Sequence, residues 1–114
     1  MSEKLISVKK KGGSGGSGVV GTLLDSNTFT VNSANVEFCH FDVSAYSGKV
    51  IMTIGAQYNS VIWEIDLDNN TSTKKLEAGS NQNRTSVTVT NKVISAKTVT
   101  AGLGNNSGLY SIVQ

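Results

Sequence analysis

Polar turn residues interrupt this chain about every ten residues, and the apolar residues between them alternate instead of recurring at helical spacing. Val61, Trp63, Ile65 and Leu67 take one side of an extended segment, and Ile62, Glu64 and Asp66 take the other. Successive side chains of a strand point to opposite faces, so this is the pattern of a half-buried strand. Asp68-Asn69-Asn70-Thr71 follows as a hairpin turn.

The same reading extends along the chain. Val19 to Leu24 is apolar, Asp25-Ser26-Asn27 reads as a turn, and Phe29 and Val31 alternate with polar residues. In Val36 to Val43, one face carries Val36, Phe38, His40 and Asp42, and the other Glu37, Cys39, Phe41 and Val43. Tyr46 to Lys49 is a turn before the strand Val50 to Tyr58. Lys74 to Ala78 is a weaker strand, and Gly79 to Asn83 a polar loop. Val87 and Val89 alternate with threonines, and Val93 to Ala101 follows Asn91-Lys92. Gly102 to Gly108 is a glycine-rich loop before the last strand, Leu109 to Val113. The expected fold is all-β: an antiparallel β-sandwich, jelly-roll-like, of about nine or ten short strands.

Composition agrees. Charged residues make up 16% of the 114, and the Ser, Thr, Asn, Val and Gly that dominate suit short strands and polar turns. The formal charge of +2 is unevenly placed. Lys4, Lys9, Lys10 and Lys11 stand against Glu3 at the N-terminus, and the remainder holds six basic and seven acidic residues. A body so near neutral lacks the basic face of a nucleic-acid binder. Cys39 is the single cysteine, so neither an intrachain disulfide nor a cysteine zinc cluster is expected. No apolar run approaches the roughly 18 residues of a membrane-spanning helix, and no cofactor is expected.

Gly12 to Gly18 reads Gly-Gly-Ser-Gly-Gly-Ser-Gly. That regularity marks a designed linker, which spans roughly 15 Å on average and about 24 Å at full stretch. Residues 1–11 before it contain Leu5, Ile6 and Val8, a short strand with Ile6 and Val8 on one face. Leu109 to Gln114 followed by Ser2 to Val8 reads as strand, polar turn, strand, the signature of a circular permutant. The expected organisation is a relocated or grafted strand over 1–11, a linker over 12–18 and a sandwich domain over 19–114 into which the strand packs.

Phe41-Asp42-Val43-Ser44-Ala45-Tyr46-Ser47-Gly48-Lys49-Val50-Ile51, with the acidic turn after Trp63, resembles a strand–turn–strand of jelly-roll modules in bacteriophage tail fibres and gut-bacterial surface proteins. The resemblance implies a sandwich built like a carbohydrate-binding module attached to an adhesin or tail fibre. It implies structural roles for Gly48, Val43 and Ile51 and carries over no ligand residues.

Residues that might carry chemistry are few. His40 is the only histidine, no Gly-x-Ser-x-Gly is present outside the linker at Gly12 to Gly18, and adjacent Cys39 and His40 point to opposite faces, so no catalytic residue and no enzyme is expected. Asp66, Asp68, Asn70 and Glu77 match calcium-loop spacing in part, but Thr71 stands where glycine is needed, and an acidic hairpin explains the same residues. No metal site is expected. Glu64, Asp66 and Asp68 crowd one short stretch, whereas glycosidase carboxylates face each other across a cleft. For ligand binding, Tyr46 and Tyr58 next to turns, with Asn59 and Asn83, are the candidates for stacking on sugar rings and bonding hydroxyls.

The expected function is a non-catalytic binding or adhesion module for a glycan or cell-surface receptor. The alternative is a structural domain of a tail fibre or pilus-like fibre that exchanges strands. The expected setting is extracellular or virion-associated. The isolated chain is expected as a monomer, and its native setting as a homo-oligomer, without nucleic acid or membrane insertion. If Leu5 to Val8 is an integral strand, deleting residues 1–18 lowers the melting temperature or leaves oligomers in size-exclusion with light scattering. An unchanged monomer with an unchanged melting temperature reduces the segment to a tag.

Overall fold

The computed structural model describes residues 21–31, 33–100 and 107–114. The proposed strand at 5–8 and the linker at 12–18 lie outside them. Eight strands are present among the described residues: β1 (Leu23–Thr30), β2 (Glu37–Asp42), β3 (Lys49–Ala56), β4 (Asn59–Asp66), β5 (Thr71–Ala78), β6 (Thr85–Thr90), β7 (Val93–Thr98) and β8 (Ser107–Val113). They form two antiparallel sheets, one ordered β1-β8-β3-β4-β5 and the other β2-β7-β6. The sandwich expected from the sequence is therefore the observed architecture, and no described residue is helical.

Alternation decides what is buried. On β3 and β4 the inward Val50, Met52, Ile54, Val61 and Ile65 are each at most 1% exposed. They meet Ile112 of β8 and, from the second sheet, Cys39, Val87, Val89, Ile94 and Ala96. Each large aliphatic side chain so buried stabilises the fold by about 1.5–3 kcal/mol relative to exposure. The β6–β7 turn is made by Asn91 and Lys92 at φ 52° and 65°, the pair of left-handed residues that a type I′ hairpin requires.

Two expectations change. Asp25-Ser26-Asn27 is not a turn but the middle of β1, paired with Tyr110 to Ile112 of β8. Leu23, Leu24 and Phe29 on either side therefore belong to one strand, where two were expected. The polar residues are tolerated because Asp25 accepts the Tyr110 hydroxyl at 2.6 Å and the exposed neighbours face water. Phe38 does not share a face with His40 and Asp42. A bulge between Glu37 and Cys39 inserts one residue against β7. Phe38 thereby turns inward and stacks on Phe29 at 4.2 Å, while His40 and Asp42 stay exposed.

The ends of the two sheets are tied by polar contacts. Thr98, 2% exposed, donates its hydroxyl to Ser33 O at 2.7 Å and accepts from Val36 N at 3.0 Å, fixing the β1–β2 connection on the end of β7. Ser72 of β5 donates across the opposite corner to Val87 O of β6.

Two glycines give opposite expectations. A Cβ on Gly108 would lie 2.3 Å from the Phe29 ring and 2.7 Å from Gly55 O, so the neighbouring strands must move to admit it. Gly108→Ala should destabilise by about 1–3 kcal/mol. Gly55 in β3 has open space where a Cβ would stand, and Gly55→Ala should stabilise by about 0.5–1 kcal/mol through the unfolded chain. Urea denaturation of the two variants checks the difference in sign.

Candidate functional site

Ala56 and Asn59 are paired at the ends of β3 and β4, so Gln57-Tyr58 forms a two-residue turn. Tyr58 is 44% exposed at its tip. Asn59 is next, on the inward side of β4 with Val61, and is only 2% exposed. A buried carboxamide needs partners. Its Nδ2 donates to Glu77 Oε2 at 2.8 Å and to Asn81 O at 2.9 Å, while its Oδ1 and the Trp63 Nε1 are buried without a partner among the described residues.

Glu77 is the hub of this end of the sandwich. Its side chain is 9% exposed. It accepts from Asn59 Nδ2, from Lys74 Nζ at 2.8 Å and from Asn83 N at 2.9 Å. Lys74 Nζ also donates to Asn83 Oδ1 at 2.6 Å and stands 5.9 Å from the centre of the Trp63 ring. Burial disfavours the ionised Glu77, but the bonds from Lys74, Asn59 and Asn83 outweigh it and hold the carboxyl below its ordinary value of 4.5. The loop from Gly79 to Asn83 is thereby fastened beside Tyr58, whose carbonyl accepts from Asn81 N at 2.9 Å. Gly79 at φ 115° makes this closeness feasible, since a Cβ there would lie 2.4 Å from Tyr58 O.

Of the four sequence candidates, Tyr58, Asn59 and Asn83 converge on this end. Tyr46 does not. It lies in the β2–β3 connection, at the opposite end of β3, half-buried with its ring 6.1 Å from that of Phe41. Asn59 is internal, an organiser of the loop and not a surface contact. Asn83 is exposed, but its Oδ1 and backbone N–H are engaged by Lys74 and Glu77. Lys74 and Glu77 were not among the sequence candidates. Residues three apart point to opposite faces of a regular strand, but β5 bulges after Lys74, which pairs with Trp63 while Leu76 pairs with Ile62. The bulge brings both charged groups to the inner face.

The acidic turn and the outer face of the second sheet are held in structural contacts. Asp66 accepts from the backbone N–H of Asp68 and Asn69 at 3.1 Å each and from Asn69 Nδ2 at 2.9 Å, closing the β4–β5 turn. Asp68 accepts from Gly48 N at 3.2 Å. Glu77 pairs with Val61, five residues along β4 from Asp66 and so about 17 Å from the acidic turn, too far to share one cation. On the outer face of the second sheet, Glu37 accepts the Ser95 hydroxyl and bonds His40 Nδ1 at 3.1 Å. The carboxylate stands between serine and histidine, whereas in a nucleophilic triad the imidazole does. Cys39 is buried at 3% exposure, and burial, reinforced by Asp25 and Glu37, pushes its thiol up to about 11.

No protein-family model matches the chain, and neither a curated protein nor a solved structure matches it.

Glu77 makes acid stability the test of this arrangement. Its folded pKa lies below the unfolded one, so its contribution is full above about pH 4.5 and is lost as pH falls through the folded value. Melting temperatures of the native chain and Glu77→Gln should converge as pH falls from 5 toward about 3, because the glutamine variant lacks this term. At neutral pH the variant should be less stable by about 1–3 kcal/mol, having lost charge-assisted bonds to Lys74, Asn59 and Asn83.

Proposed function

We propose that this domain is a non-catalytic binding module whose contact surface is the Tyr58 turn with the Gly79–Asn83 loop, and that its ligand is a glycan of a cell or host surface. The observation that carries the reading is an exposed aromatic ring on a short turn, beside a loop of amide and hydroxyl side chains fixed from below by a buried carboxylate. An aromatic face stacks on the C–H side of a sugar ring, and neighbouring carboxamides bond its hydroxyls. Fastening the loop in advance lowers the ordering cost of binding. Such a module would work outside the cell or on a virion, in keeping with the resemblance carried by Phe41 to Ile51.

A second reading, a structural domain of a fibre that exchanges strands, is favoured by the edge strand β1. Its Ser26, Asn27 and Thr28 are exposed and uncharged, whereas the other edge of the same sheet carries Lys74 and Lys75.

A glycan array followed by calorimetric titration tests the first reading. Tyr58→Ala should weaken binding of the best glycan at least about tenfold, which is about 1.4 kcal/mol, and leave the melting temperature within a few degrees of the native value. An array without a binder, or a Tyr58→Ala variant with native affinity, removes the assignment.

A further inference from the structure

The two sheets differ in what they show to solvent. The outer face of β2-β7-β6 is polar, with Glu37, His40, Asp42, Lys97 and Thr88. The outer face of the five-stranded sheet carries Leu23, Ile51, Ile62, Leu76, Leu109 and Val113. Leu76, Leu109 and Leu23 are 62%, 53% and 42% exposed. The face of a sandwich that meets water is normally polar, so a run of aliphatic side chains across five strands is unusual. Of its charged residues, Lys49, Glu64 and Asp66 gather at one end, where Lys49 Nζ lies 3.8 Å from Glu64, and Lys75 stands exposed at the bulge of the β5 edge.

Register gives the face a pattern of large beside small. One row across β1, β8, β3, β4 and β5 reads Thr28, Leu109, Gly55, Ser60, Ala78, and the next Ser26, Ser111, Thr53, Ile62, Leu76. Rotation by 180° about an axis along β3 exchanges β8 with β4 and β1 with β5. Leu109 then comes over Ser60, Ile62 over Ser111 and Leu76 over Ser26. In these two rows each large side chain meets a small one, and Gly55 leaves open space beside Leu109; in the next row Leu23 meets Thr73, Val113 meets Glu64 and Ile51 meets its own copy on the axis. A face that is complementary to itself under a two-fold rotation is what an isologous dimer requires. Five strands spaced about 4.8 Å apart and about eight residues long cover roughly 24 by 27 Å, or about 650 Å² before side-chain relief, close to the about 800 Å² per partner of a stable interface.

We propose that this face is the contact between two copies of the chain, packed sheet to sheet about a two-fold axis along β3. Two copies stack their five-stranded sheets at the spacing of about 10 Å usual for packed sheets, and Lys49 and Asp66 lie at the rim. The Tyr58 turn lies at the strand ends, so each dimer carries two such turns, and the dimer does not depend on what they bind. This replaces the expectation of a monomer for the isolated chain.

Sedimentation equilibrium of the full chain, from micromolar into millimolar concentration, should give a concentration-dependent mass rising to twice that of the chain. Leu109→Lys and Leu76→Lys should each raise the dissociation constant at least about tenfold. Both positions are exposed, so their melting temperatures under monomeric conditions should stay near native. Ser60→Trp, which fills the recess beneath Leu109, should do the same, and Thr88→Lys on the polar face should change nothing. A chain that stays monomeric throughout, or a Thr88→Lys variant as defective as Leu109→Lys, overturns the proposal. So does a native chain that dimerises only after removal of residues 1–18, which would assign the face to the chain's own N-terminal segment.

Discussion

β8 lies between β1 and β3, so the last strand of the chain is what joins the first strand to the rest of its sheet. Among the described residues β1 pairs with no other strand. Tyr110 and Ile112 supply β8's share of the core, and Tyr110 hydroxyl to Asp25 closes the same seam with a hydrogen bond that spans 85 residues of sequence. Burial and that bond together raise the Tyr110 pKa, so the phenol remains a donor throughout the range in which the domain would work. Contacts of such sequence separation form late and cooperatively, because loop closure must precede any gain. The requirement also explains Gly108: where β8 passes between the Phe29 ring and the β3 backbone, only a residue without Cβ fits.

The seam at β8 holds one side of the sandwich, and the Glu77 cluster holds the other. β5 and β6 belong to different sheets, and the chain crosses between them through the Gly79–Asn83 loop. A carboxylate nearly withdrawn from water costs free energy unless its lone pairs are engaged. Here an ammonium, a carboxamide and a backbone N–H engage them. The cluster fixes the crossing and, by the same bonds, fixes the loop beside Tyr58. Stability and the geometry of the candidate surface therefore rest on one side chain.

The domain presents three chemically distinct surfaces. The strand ends bearing Tyr58 combine an aromatic ring with amides, the outer face of the smaller sheet is polar, and the outer face of the larger sheet is aliphatic. In the proposed arrangement the aliphatic face joins copies and the strand ends meet the ligand. Pairing would present two contact turns together, and avidity would then compensate for the weak affinity of a small, exposed sugar site.

The sequence by itself determined the all-β class, the inward faces of β4 and β6 and the acidic hairpin. In those segments the period of two is unbroken and one face is uniformly apolar, so local pattern and global burial agree. It also drew attention to Tyr58, Asn59 and Asn83, because polar and aromatic residues cluster where turns are due. Only the tertiary structure decided three further matters. Asp25 to Asn27 has turn composition, yet it is a strand because β8 supplies its ladder and Tyr110 its partner. Phe38 and Lys74 reach the interior because one bulge in each strand shifts the alternation by a residue, and a bulge depends on the neighbouring strand. Tyr46 separates from Tyr58 because β3 lies between them and holds them at opposite ends of the sandwich. In each case the deciding contact is made by a residue remote in sequence, which no local pattern encodes.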